Sequence, residues 1–105
     1  MRIAPLAALA VLATGPAFAQ QADAVSKGRA LALQLCSGCH FVEAGQRVPM
    51  AVGAPPFPQL ANDPAITEFH LRNFLRTPHP VMPMLILLAE ETDSVVAFIL
   101  ALKGK

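Results

Sequence analysis

The sequence Cys36-Ser37-Gly38-Cys39-His40 constrains this chain more than any other feature. Two cysteines separated by two residues and followed at once by a histidine form the attachment signature of c-type haem. Two intervening residues let the backbone make about one helical turn, which matches the distance between the two haem vinyl groups. The histidine is then placed beneath the porphyrin as an axial iron ligand. The pattern therefore predicts one haem c, covalently bound through Cys36 and Cys39 and ligated by His40.

Residues 1–19 have the layout of a secretory signal peptide. Arg2 precedes an apolar run over residues 3–13, and Gly15-Pro16 is followed by the small-x-small site Ala17-Phe18-Ala19. The run is shorter than the ~20 residues that cross a bilayer, and a Gly-Pro pair follows it, which disfavours a retained membrane anchor. We therefore expect cleavage after Ala19, a periplasmic location, and no stable membrane insertion afterwards.

Residues 20–105 are expected to form one small domain. The whole chain has 8 basic and 7 acidic side chains. Removing Arg2 with the signal peptide leaves a formal charge of zero. Nucleic acid binding, which needs a clustered basic face, is therefore not expected. A disulfide between Cys36 and Cys39 would close a very short loop and stabilise little. The pair is expected to do chemistry or to hold a group, and a buried haem would add apolar mass to a chain without Trp or Tyr.

Apolar periodicity predicts an all-α fold with about three main helices, at residues 24–36, 64–76 and 90–103. Asn62 or Asp63 is expected to cap the second helix, with Pro64 at its first position. Residues 41–60 are rich in proline and show no sustained period, which predicts a loop packed on the cofactor. Its candidate haem contacts are Val48, Met50, Val52 and Phe57.

A sixth iron ligand is expected from a methionine, because a soft, neutral thioether favours Fe(II) and raises the reduction potential. The candidates in residues 20–105 are Met50, Met82 and Met84. Met82 lies between Pro80 and Pro83 on a segment stiffened by prolines, as suits an axial ligand.

These residues resemble those of the class I (mitochondrial-type) cytochromes c, most closely the small bacterial periplasmic members. Gly28, eight residues before Cys36, matches the glycine at which the N- and C-terminal helices of that family cross. Phe98 matches the aromatic residue of the C-terminal helix at that crossing. The resemblance implies a cytochrome c domain over residues 20–105, wrapped around one covalently attached haem.

The resemblance also implies a set of ligands. Gly53-Ala54-Pro55-Pro56 is similar to the loop whose proline carbonyl accepts the second ring proton of the ligand histidine. Pro55 is favoured for this role, with Pro56 as the alternative. Met82-Pro83 is similar to the family's ligand loop, which makes Met82 the sixth ligand and Met84 the alternative. One departure is Leu88, where a Ser or Thr usually caps the last helix, and a start shifted toward residues 91–93 is expected.

The expected function is electron transfer in the periplasm, with no catalysis and with transient redox protein partners. One alternative is a dedicated cytochrome subunit of a periplasmic oxidoreductase complex. Another is a haem-based gas or ligand-binding protein in which Met82 dissociates. A thiol–disulfide oxidoreductase using Cys36 and Cys39 is disfavoured, because such pairs follow a strand and start a helix, whereas this pair follows a predicted helix.

Overall fold

The structure is a computed structural model that describes residues 1, 3–4, 10, 15–49, 53–77, 81–82 and 85–105. Those residues contain no strand and form four helices: α1 (Pro16–Leu35), α2 (Phe57–Asn62), α3 (Glu68–Arg76) and α4 (Ala89–Ala101). The predicted all-α class is confirmed. No helix in this described part of the chain is long and apolar enough to cross a membrane.

Helices α1 and α4 form the main packing interface, and their backbones come close together at Gly28. A Cβ atom at Gly28 would lie 1.8 Å from the carbonyl oxygen of Ser94 and 2.8 Å from the Cβ of Phe98. No side chain fits in that space without moving the α4 backbone. The predicted contact between the two helices at Gly28 and Phe98 is therefore confirmed.

The hydrophobic core is small and lies where α1, α2 and α3 each pack on α4. Its largest side chains with almost no exposed surface are three valines. Phe57 of α2 contacts Phe98 of α4 with ring centroids 6.5 Å apart. The buried hydrophobic residues are Ala32, Cys36, Val42, Phe57, Ala61, Leu71, Val95, Val96, Phe98 and Ile99.

Helix α2 is a short addition to the three main helices that were expected, and it corrects the expectation of a continuous loop over residues 41–60. It begins after Pro56, contains Pro58 in its first turn, and ends at Asn62. Proline suits the first turn of a helix because the N–H it lacks has no intrahelical partner there. At 6 residues the helix is too short to show a helical period in the sequence. Phe57 and Ala61, one turn apart, anchor it in the core.

The start of α3 also differs from the prediction, because Thr67 caps it instead of Asn62 or Asp63. The Thr67 hydroxyl oxygen accepts a hydrogen bond from the His70 backbone N–H at 3.1 Å. Asp63 instead accepts from the Ala65 N–H at 2.9 Å, which forms a turn around Pro64. The helix therefore begins at Glu68, four residues later than expected.

The outer helices begin earlier than predicted. Helix α1 starts at Pro16 instead of residue 24. Helix α4 starts at Ala89, so the expected shift toward residues 91–93 is wrong. The carboxylate of Glu91 accepts a hydrogen bond from the Leu88 N–H at 3.1 Å. This acidic side chain provides a cap at the N-terminus that the Leu88 side chain has no oxygen to supply.

Candidate functional site

The predicted site residues lie around one cavity of about 590 Å³. This volume falls within the range of ~300–1,000 Å³ that is typical of small-molecule and cofactor sites. Most of the wall is apolar. The lining residues are Leu35, Cys36, Cys39, His40, Gly53, Ala54, Pro55, Leu60, Ile66, His70, Leu71, Phe74, Val81, Met82 and Leu85. The structure therefore brings together Cys36, Cys39, His40, Pro55 and Met82, which are separated by up to 46 positions in the sequence.

The turn after α1 places both cysteines and the histidine on the cavity wall. The Cys36 N–H still donates to Ala32 O at 2.9 Å, as in the helix. The N–H groups of Cys39 and His40 then both donate to the Cys36 carbonyl, at 3.1 and 2.8 Å. This folds the five residues into a tight turn. Both thiols are free, with Cys36 buried and Cys39 exposed.

The Cys36 thiol is in an environment that disfavours thiolate chemistry. Burial raises its pKa to about 11, and the nearby Cys39 adds to the shift. Cys36 also lies at the C-terminal end of α1, where the helix dipole is negative. Reactive cysteines of thiol–disulfide enzymes have a lowered pKa, commonly at a helix N-terminus. The geometry supports the sequence argument against that class.

The His40 ring is held by the carbonyl of Pro55, which lies 2.7 Å from Nδ1. Because a carbonyl oxygen can only accept, Nδ1 carries the proton, and the lone pair of the neutral ring is on Nε2. Neutral imidazole with its other nitrogen hydrogen-bonded to a carbonyl is the usual arrangement of a metal-ligating histidine. The predicted contact is confirmed for Pro55, not for Pro56.

The loop that carries Pro55 begins with a glycine in a left-handed conformation. Gly53 has φ of 92°, a region that L side chains rarely adopt. The loop then continues through Pro55 to Phe57, whose N–H donates to Phe41 O at 2.9 Å. The Phe57 ring packs on the His40 ring with centroids 5.2 Å apart. Gly53, Pro55 and Phe57 thus hold the loop against the histidine.

Met82 is half-buried on the cavity wall, with the exposed Val81 beside it. Of the other predicted ligands and contacts, Met50, Val52 and Met84 lie outside the described residues. The predicted haem contact of Val48 is wrong for this structure, because Val48 is 89% exposed and does not line the cavity. Phe57 is buried in the core instead of forming part of the wall.

Two residues at or beside the site are not among the site residues predicted from the sequence. His70 lines the cavity, and its ring stacks on that of Phe74 with centroids 6.2 Å apart and planes 11° apart. The sequence signal for this contact is the spacing of four residues between His70 and Phe74, which makes the two side chains neighbours on a helix. Gln46, in contrast, hydrogen-bonds the turn at residues 36–40 through its side chain. A single glutamine in an irregular loop gives no signal in the sequence.

An ion pair attaches the segment after the turn to α1. Nε and Nη2 of Arg29 donate to the two carboxylate oxygens of Glu43, at 2.8 and 2.5 Å. This contact holds the pKa of Glu43 below its ordinary value. The pair is bidentate, so it fixes the direction in which the chain leaves His40.

The described side chains at the cavity are not arranged to hold a bare metal ion. Within the described ranges, no group of three or more His, Cys, Asp or Glu residues is arranged as a metal site. His40 and Met82 are two ligand types that bind iron in proteins.

No protein-family model, no curated protein and no solved structure matches this chain in comparisons of sequence and fold.

Proposed function

We propose that this protein is a periplasmic electron-transfer protein of the cytochrome c type, with one haem c. Cys36 and Cys39 would hold the haem covalently, and His40 and Met82 would ligate the iron. One observation carries the proposal. Two thiols, an imidazole with its lone pair on Nε2, and a thioether all line the same apolar cavity.

The cavity supports this cofactor better than a polar ligand. A porphyrin is a large, flat and mostly apolar ring, and the wall consists mainly of aliphatic, aromatic and proline residues. Leaving such a wall in water costs about 25 cal/mol per Å² of apolar surface. A covered wall would also complete a core that has few large buried side chains of its own.

When bound, haem supplies reversible one-electron chemistry at its iron. The residues of this chain set the conditions for it. The Pro55 carbonyl fixes the tautomer of His40 and makes Nε2 a stronger electron-pair donor to a metal. Met82 is a neutral, soft ligand that stabilises the reduced state. If His40 and Met82 both ligated the iron, they would leave it no free position for a substrate, which favours a carrier over an enzyme.

The rim of the cavity offers a surface for transient redox protein partners. Val81 is 94% exposed, and Leu35 and Phe74 are each partly exposed where they line the opening. Small apolar surfaces suit weak and short-lived contacts. A permanent subunit of a periplasmic oxidoreductase would bury the same side chains in a stable complex. Co-purification and size-exclusion chromatography of the native protein distinguish a free carrier from such a subunit.

Replacing Met82 tests the ligand assignment. In Met82→Ala we expect loss of the absorption band of methionine-ligated ferric haem, a lower reduction potential, and binding of external ligands such as imidazole. The matched control is Met84→Ala, which removes the neighbouring thioether and is expected to change none of these. If the band persists in Met82→Ala and disappears in Met84→Ala, Met84 is the ligand. If both variants bind external ligands as the unaltered protein does, the proposed electron carrier is replaced by a ligand-binding protein.

A further inference from the structure

The side chain of Gln46 makes four hydrogen bonds to the backbone around the cysteines and His40. Its Oε1 accepts from the N–H of Val42 at 2.7 Å and from that of Glu43 at 3.3 Å. Its Nε2 donates to the carbonyl of Ser37 at 2.9 Å and to that of His40 at 2.8 Å. A carboxamide has two N–H donors and two acceptor lone pairs. Gln46 therefore uses its full hydrogen-bonding capacity on one turn.

The orientation of this amide is fixed by its partners. Both groups near Oε1 are backbone N–H donors, and both groups near Nε2 are carbonyl acceptors. A flipped amide would place N–H groups against N–H groups and oxygen atoms against oxygen atoms at all four contacts. A carboxylate of nearly the same shape would keep the two acceptor contacts and oppose two carbonyl oxygens. Only a neutral amide satisfies all four groups.

The backbone groups bound by Gln46 belong to the segment that sets the position of His40. The Gln46 side chain binds the His40 carbonyl and the N–H groups of Val42 and Glu43, while the Pro55 carbonyl binds the His40 ring. The residue is thus fixed at its main chain and at its ring. Val42, the first N–H partner, has no exposed surface, so this part of the turn is also anchored in the core.

We propose that Gln46 is a positioning residue for His40. It fixes the backbone of residues 37–43 so that the ring stays on the Pro55 carbonyl and presents Nε2 to the cavity. The assignment of iron to Nε2 rests on the proposed function. The hydrogen bonds of the turn do not depend on it.

Hydrogen exchange in the reduced, haem-loaded full-length protein tests the proposal. The variant is Gln46→Met, which keeps the length of the side chain and removes all four bonds. Loss of two or more bonds of typical strength predicts exchange of the His40 Nδ1–H that is about tenfold faster, or more. The Val42 N–H is expected to lose protection in Gln46→Met and to keep it in Gln46→Glu, whose carboxylate still accepts.

The control for a general loss of stability is Ile99→Val, a buried position on α4. It is expected to leave exchange at His40 and Val42 within about twofold of the unaltered protein, because the turn itself is intact. If Gln46→Met fails to acquire covalent haem while Ile99→Val acquires it, the proposal is supported. Unchanged His40 exchange in loaded Gln46→Met, or equal changes in both variants, would overturn it. Absence of haem from the unaltered protein overturns the proposed function itself, which is a separate outcome.

Discussion

Replacing Gly28 with alanine is expected to destabilise the protein, although alanine favours helices. The added Cβ would lie 1.8 Å from the Ser94 carbonyl oxygen, whereas ordinary contact begins at 3.4 Å. Helix α4 would have to move away from α1 by about 1.6 Å at this point. The obstacle is backbone, so no side-chain rotation relieves it.

Two opposing contributions determine the size of the effect. Gly-to-Ala substitution inside a helix gains about 1 kcal/mol from helix propensity. Overpacking against a rigid neighbour costs typically about 1–3 kcal/mol and sometimes more. Because the obstacle is backbone, we expect an overpacking cost near the upper end of that range, about 3 kcal/mol. The free energy of unfolding should therefore fall by about 2 kcal/mol. For a domain of this length that corresponds to a fall in Tm of roughly 8–16 °C.

Thermal and denaturant unfolding of Gly28→Ala measure this loss. The matched control is Gly38→Ala, because a Cβ at Gly38 meets no atom within 4 Å and its φ is not positive. The control is expected to change stability by less than about 0.5 kcal/mol. Helix propensity alone predicts that Gly28→Ala stabilises the protein. A variant as stable as the unaltered protein, or more stable, would refute the close crossing of α1 and α4.

Two further predictions follow from ionisable groups near the turn. In the haem-free protein, alkylation monitored by mass spectrometry should be slow at the buried Cys36 and keep accelerating as the pH rises toward about 11, the raised pKa of that thiol. Equally fast alkylation of Cys36 and Cys39 at neutral pH would contradict the burial of Cys36. Glu43→Gln should lower Tm slightly at pH 7, because Arg29 holds the pKa of Glu43 below its ordinary value. The difference should vanish as the pH falls through the lowered pKa of the Glu43 carboxyl, and should shrink in high salt because the pair is exposed. A difference that grows with acidification would contradict the ion pair.

The sequence was informative where a short pattern has one structural solution. The resemblance of Gly28 and Phe98 to residues of the class I cytochromes c implied the contact between α1 and α4, and the absence of a Cβ at Gly28 explains why the two backbones can come so close there. The resemblance of Gly53-Ala54-Pro55-Pro56 to a loop of the same family implied the hydrogen bond between the His40 ring and the Pro55 carbonyl.

Other features depend on competition between groups that look alike in the sequence. Asn62, Asp63 and Thr67 are all suitable caps, and the choice of Thr67 follows from the turn that Asp63 makes around Pro64. Helix α2 is held by the burial of Phe57 and Ala61, not by a periodic pattern. The role of Gln46 depends on four backbone groups that converge only in the folded chain. Tertiary structure decides such cases.

Covalent attachment of haem is the most direct test of the proposed function. The full-length protein would be produced with a c-type maturation system and examined by pyridine haemochrome spectroscopy and intact mass. We predict one haem per chain, retained after denaturation, with neither Cys36 nor Cys39 open to alkylation. Cys36→Ala and Cys39→Ala should each leave one thioether bond. A protein that carries no covalent haem, with both thiols free, would contradict the central claim.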